Sequence, residues 1–126
     1  MNNKGQTLIL FVILVPIFIL LLAFVVDTGL ILKEHTKLNN TIKSVLKTTY
    51  EIRLDSDYQE KVTNLIDKNN IPTLNLKIEV IDNSIKIQNE YQKESIFGKI
   101  IGIKEYKIKS VLKIKNENGT LVIEKE

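Results

Sequence analysis

Between Leu8 and Val26 the chain carries nineteen consecutive residues with no charge and no strongly polar side chain, and this run limits the possible folds more than any other feature. As a helix rising about 1.5 Å per residue it covers about 28 Å, close to the roughly 30 Å hydrocarbon core of a bilayer. A helix buried in a soluble core would be shorter or would show a polar stripe. A secretory signal has an apolar region of about 7–15 residues followed by a small-residue cleavage site. Here Asp27-Thr28-Gly29-Leu30 follows the run, and Leu22-Ala23-Phe24 before it offers no good small-residue pair. The run reads as an uncleaved transmembrane helix over residues 8–26. Pro16, in its middle, is expected to mark a kink, which membrane helices tolerate because neighbouring helices or a local 3₁₀ adjustment can satisfy the freed carbonyl.

Lys4 and the α-amino group precede the helix with no acid among them, whereas Asp27, Lys33, Glu34 and Lys37 follow it with mixed signs. Lysines alone do not decide the orientation. The short head does: residues 1–7 form a leader with no folded mass, ahead of a long polar tail that a first helix of this kind exports. The expected topology is a single pass with the N-terminus cytoplasmic and the rest outside the cytoplasmic membrane.

A mean hydropathy of +0.00 hides this division. The 126 residues amount to one domain, with 18 Lys plus Arg, 15 Asp plus Glu, one His and no Cys. Disulfides, thiolate metal sites and Cys nucleophiles are thereby excluded, a catalytic triad is disfavoured, and the cysteine count is neutral about compartment. All the basic residues but Arg53 are Lys; this, with the abundance of Ile and Asn, could follow from an AT-rich genome and carries no functional conclusion.

Past the membrane the apolar positions become periodic. Ile31, Leu38, Ile42, Val45, Thr49 and Ile52 recur at helical spacing on one stripe, with Lys33, Lys37, Lys43 and Lys47 off it. The helix is expected to run on through residues 27–54, to near Arg53, with Gly29 its one weak point. Asp57 with Glu60 three residues later gives a capping signature for a short helix over about 58–68, stopped by Asn69-Asn70 and Pro72.

The period then drops to two. Leu74, Leu76, Ile78 and Val80 alternate with polar residues, as do Ile85 and Ile87 after Asp82-Asn83. A two-residue loop there sets Val80 opposite Ile85, Ile78 opposite Ile87 and Leu74 opposite Tyr91, with Glu79 meeting Lys86 on the other face. Tyr106, Ile108, Leu112 and Ile114 alternate with lysines, and a loop at Asn118-Gly119 pairs Ile114 with Ile123. Hairpins with one apolar face and a helix with an apolar seam most simply cover each other. The expected fold is α+β, with a four-stranded antiparallel sheet of residues 55–126 packed on the outer half of the long helix and the short helix at its side. Ser95–Ile103, between the hairpins, is too apolar for an idle loop: it packs under the sheet edge, the preferred reading, or forms an exposed contact patch.

Lys4-Gly5-Gln6, an apolar span with Pro near its middle and Asp27-x-Gly29 at its end resemble the TadE/TadG-like pseudopilins of tight-adherence (Flp-type) pilus systems. The resemblance is strongest over residues 4–30 and extends loosely over the rest through the order of helix and hairpins. It implies a pilin-like head outside the membrane, no enzyme activity, and a minor role in assembling an adhesive pilus, with other pilus subunits as partners through the transmembrane helix. Pro16, Asp27 and Gly29 would then shape helix packing. The resemblance also implies a possible prepilin peptidase cut between Gly5 and Gln6. Processed pilins generally carry Glu five residues into the mature chain; Leu10 stands there instead, which weakens the case for polymerisation and for cleavage.

The remaining polar features are bland. Asp27 could pair with a cation on a partner helix, but the preferred reading is that it marks where the helix meets water. His35, with Glu34 beside it and Asp27 two turns away, lacks convergent ligands, so no metal site, cofactor site or catalytic residue is assigned. Lys107, Lys109, Lys113 and Lys115 line the outward face of an expected strand and could meet anionic wall polymers, though lysines on an outer or edge strand also discourage edge aggregation. No aromatic residues interleave them, and nucleic-acid binding is not expected. The alternative to pilus assembly is a membrane-anchored extracytoplasmic module that binds wall polymer or a small ligand.

Overall fold

The computed structural model describes residues 3–125. Helix α1, Lys4–Thr49, runs without interruption for 46 residues and ends in a 3₁₀ turn, Tyr50–Ile52. At about 1.5 Å per residue its length is about 69 Å. Pro16 lies inside it, so the missing amide interrupts one backbone bond without ending the helix, as membrane helices permit.

The two halves of α1 meet different surroundings. Residues 8–22 are all exposed, and this part is long and apolar enough to cross a membrane. Beyond it the expected stripe turns inward: Leu38, Ile42, Val45 and Thr49 are buried, joined by Leu46, while Ile31 and Ile52 pack at the margin. Helix α2, Tyr58–Lys68, has the expected bounds and contributes Tyr58, Val62 and Ile66 to the same core. Asp57 stands at its N-cap position as expected, but the cap bond does not form. Its carboxylate instead lies 3.4 Å from Lys61 Nζ, with Asp55 on the other side at 3.5 Å.

Four strands follow in a meander: β1 (Lys77–Ile81), β2 (Ser84–Glu94), β3 (Glu105–Glu117) and β4 (Thr120–Lys125), all neighbours antiparallel and in chain order. The fold is thus α+β, with one antiparallel sheet laid on the helix. The expected pairs Ile78–Ile87, Glu79–Lys86, Val80–Ile85 and Ile114–Ile123 are all present. Leu74 does not face Tyr91; β1 starts only at Lys77, and Leu74 is 95% exposed. At the other turn Asn118 (φ 52°) and Gly119 (φ 85°) both take positive φ, which a tight two-residue hairpin requires and this pair tolerates best.

Period-two alternation sends Ile85, Ile87 and Tyr91 of β2 and Ile108, Leu112 and Ile114 of β3 to the helix side. Two polar residues, Asn89 and Ser110, sit opposite each other on that inner face. Both are satisfied: Asn89 donates to the Pro72 carbonyl at 3.0 Å, and Ser110 bonds Asn39 of α1. β3 is an interior strand of the sheet. Its lysines are partly neutralised by neighbours, Lys107 by Glu90 at 3.0 Å and Lys115 by Glu117 and Glu124 at 2.9 Å each.

Candidate interaction site where the helix leaves its apolar run

Polar contacts between helix and sheet fix how the strands lie along α1. At the far end the Tyr50 hydroxyl donates to the Asn83 carbonyl at 2.7 Å, and Arg53 Nε donates to the Asp82 carbonyl at 2.8 Å. Nearer the apolar half the Tyr91 hydroxyl donates to Glu34 Oε2 at 2.8 Å. From Asp27 to Tyr50 the helix rises about 35 Å, and β2 extended from Ser84 to Ser95 covers about 36 Å. The β2–β3 connection therefore arrives beside Asp27, at the upper end of the apolar run, while the two polar turns lie at the opposite end of the sheet.

There Asp27 is the organising group. Its Oδ1 accepts the backbone N–H groups of Ile96 and Phe97, both at 3.1 Å, and its Oδ2 accepts the Gly98 N–H at 2.6 Å and the Tyr106 hydroxyl at 3.1 Å. Three successive amides converging on one carboxylate form an anion nest. The nest opens the 3₁₀ turn Gly98–Ile101. The side chain is 4% exposed, an environment that a carboxylate tolerates because every direction carries a donor. The preferred expectation for Asp27 is therefore corrected: it does not meet water but ties the connection to the helix within one chain.

Gly98 is required by this arrangement. A Cβ there would lie 2.7 Å from the Tyr106 hydroxyl, 3.0 Å from the Ile103 carbonyl and 3.1 Å from Ser95 Cβ. The rest of the connection is also bonded to itself. Ser95 Oγ donates to the Ile103 carbonyl at 2.6 Å, Ile103 N–H donates to the Gly98 carbonyl, and Gly102, with φ 89°, closes the turn onto Lys99.

With its backbone turned inward, the connection turns its apolar side chains outward. Ile96, Phe97, Ile100, Ile101 and Ile103 are between 38% and 74% exposed. The expectation that Ser95–Ile103 packs under the sheet edge is overturned: the segment caps the end of the sheet and displays an apolar surface. Phe97, Ile101, Ile103 and Tyr106 form one wall of a cleft of about 200 Å³, and Leu20, Ala23 and Phe24 of the apolar run form the other.

The other singled-out residues are not part of this site. Gly5 and Gln6 lie exposed in the first turn of α1, and Gly5 and Gly29 have open space where a Cβ would stand. Asp27, Glu34 and His35 are not brought together. Asp27 serves the nest, and Glu34 serves Tyr91 and Lys93 (3.4 Å). His35 shares a shallow cleft with Lys109 and Lys125, cations that oppose metal binding. Among the described residues no group of three metal-ligating side chains occurs.

The nest had no local signal in the sequence, because its donors are backbone amides some seventy positions from Asp27. The one available clue was global: a carboxylate at the border of an apolar run needs a partner. Comparison with family models, curated proteins and solved structures yields no match.

Proposed function

We propose that this chain is a minor, pseudopilin-like subunit assisting assembly of a tight-adherence type pilus. In this reading residues 8–26 anchor it in the cytoplasmic membrane, with the N-terminus in the cytoplasm and the head outside. One observation carries the proposal: a single uninterrupted helix is exposed and apolar over its first half and forms part of the head's core over its second. A tether for a binding module needs no such continuity. A subunit that must stand in register with others does, because side-by-side packing of its membrane helix then fixes where the head points. The resemblance over residues 4–30 supports the same reading and supplies the partners, other pilus subunits meeting Pro16 and the open surface at Gly29. Mass measurement of the membrane form tells whether the chain starts at Met1 or, after a cut behind Gly5, at Gln6.

Lipid tails give helices no hydrophobic reason to associate, so helix packing depends on shape and sparse polar contacts. The test replaces residues 8–26 with an unrelated spanning helix, keeps Asp27 onward, and scores surface pili and the amount of exported protein. Loss of pili at normal protein level is expected. Normal pili after the replacement would reduce the helix to a tether, as the binding-module alternative requires. Normal pili after deletion of the gene would remove the pilus reading. Protease applied outside intact protoplasts should digest the chain beyond about residue 30; full protection would reverse the orientation.

A further inference from the structure

We infer that the Ser95–Ile103 connection is a second membrane contact, dipping its apolar side chains into the outer surface of the bilayer beside the transmembrane helix. The inference rests on residues 8–26 being a membrane anchor. The occupant of the cleft is lipid.

Three observations support it. The first is position. Phe97, Ile101 and Ile103 share a cleft with Leu20, Ala23 and Phe24, and Leu20 lies about 10 Å below Asp27 along the helix. If the run 8–26 is in lipid, these side chains overlap its outermost turns, at the roughly 5–10 Å depth that interfacial segments reach. Their exposed surface is continuous with that of the run, so whatever covers Leu20 and Phe24 also covers them.

The second is the state of the backbone. Lipid offers no hydrogen bonds, so a loop can enter it only with its amides already satisfied. Ile96, Phe97 and Gly98 donate to Asp27, Ile100 to the Phe97 carbonyl, Gly102 to the Lys99 carbonyl and Ile103 to the Gly98 carbonyl. The anion nest thus has a function: together with the turn's own bonds it satisfies most of the amides of an apolar loop. The third is charge. Glu94, Lys99, Lys104 and Glu105 gather at the neck of the loop, with Lys99 and Glu94 3.8 Å apart. Two acids and two bases there balance, which suits the headgroup level of a zwitterionic bilayer without needing acidic lipid.

A helix and a loop entering together make two contacts, which fix both the tilt of the head and its rotation about α1. One helix alone leaves rotation free.

The chain has no Trp, so single tryptophans report depth directly. The full-length protein is placed in phosphatidylcholine bilayers carrying bromine either near the headgroups or near the bilayer centre. Three variants are compared: Phe18→Trp in the apolar run, Ile101→Trp in the loop and Leu121→Trp at the far end of the sheet. Trp at 101 should emit to the blue of Trp at 121 and lose more emission to shallow than to deep bromine. Trp at 18 should favour deep bromine, and Trp at 121 should be unaffected. Quenching at 18 with none at 101 would overturn the loop contact and leave the anchor standing. No quenching at 18 would overturn the anchor and the inference together. A blue shift at 101 that is not quenched, and that fades as protein is diluted in lipid, would show a second copy covering the cleft and overturn the lipid contact.

Discussion

Asp27 and Gly98 are 71 positions apart in the chain and 2.6 Å apart in space, carboxylate oxygen to amide nitrogen. The contact depends on glycine, since a Cβ at 98 would push into the Tyr106 hydroxyl, itself a donor to the same carboxylate. Gly98→Ala should therefore destabilise the head by about 1–3 kcal/mol, the usual range for overpacking. All four tyrosines, Tyr50, Tyr58, Tyr91 and Tyr106, lie outside the apolar run, so tyrosine fluorescence during thermal melts of the detergent-solubilised protein follows the head alone. A melting temperature unchanged by Gly98→Ala would mean that the turn is looser than described.

Asparagine is no substitute at position 27. The carboxylate accepts from four donors, while an amide keeps one acceptor oxygen and turns an NH₂ group toward other N–H or O–H groups. Each buried donor left unpaired costs about 1–3 kcal/mol. Asp27→Asn should consequently lower the melting temperature nearly as far as Asp27→Ala and raise protease sensitivity within 95–103. An asparagine variant that melts like the native protein would show that the nest does not need its charge.

Much of this architecture is legible in the sequence, and the reason differs from element to element. The Glu79–Lys86 and Ile78–Ile87 pairs follow from period-two alternation on both sides of a two-residue turn, because a slip of one residue would turn every isoleucine outward. The buried stripe Leu38–Ile42–Val45–Thr49 follows from helical spacing alone. Leu74 misleads because it continues the alternation beyond the point where pairing ends; it stands in a turn before Lys77 and is exposed, while Leu76 still packs against the core. Asp57 has the spacing of a cap, but Lys61 competes for its carboxylate. Asp27 is the instructive failure. Its partners are main-chain amides, which every residue has, so no pattern of side chains can announce them. The apolar character of Ser95–Ile103 is visible, yet its location depends on how far β2 and β3 extend along the helix.

Glu34 should give the head a specific acid response. Burial works to raise its carboxyl above the usual range, but the Tyr91 hydroxyl, with Lys93 and Lys37 nearby, outweighs burial and holds it below. A carboxyl depressed in the folded state stabilises at pH values above its unfolded value, about 4.3. That contribution is lost as pH falls through the lower folded value. Glu34→Gln should therefore melt below the native protein at pH 7, with the gap narrowing as the pH is taken from about 5 downward. A gap that widens in acid would reverse the sign of the effect. Because Lys93 is 53% exposed, most of the gap should survive added salt, which screens exposed pairs and spares the Tyr91 bond.

The final expectation concerns the seam between helix and sheet. Ile42 on α1 and Ile87 on β2 are both fully buried in the shared core, whereas Lys47 stands exposed on the same helix. Ile42→Asp or Ile87→Asp would place a carboxylate among apolar side chains with no donor provided, a change severe enough to unfold a marginal domain. Lys47→Ala should stay within about 0.5 kcal/mol. Ile42→Val and Ile87→Val, which remove one methylene each, should cost about 0.5–1.5 kcal/mol and keep the effect measurable where the aspartates abolish folding. The two sites face one core through different elements, so the valine pair also tests whether helix and sheet melt as one unit. Each single variant should shift one shared tyrosine transition. Two separate transitions, one moved by Ile42→Val and the other by Ile87→Val, would show that the outer half of α1 is not an integral part of the head, and the rigid continuity on which the pilus reading depends would fail with it.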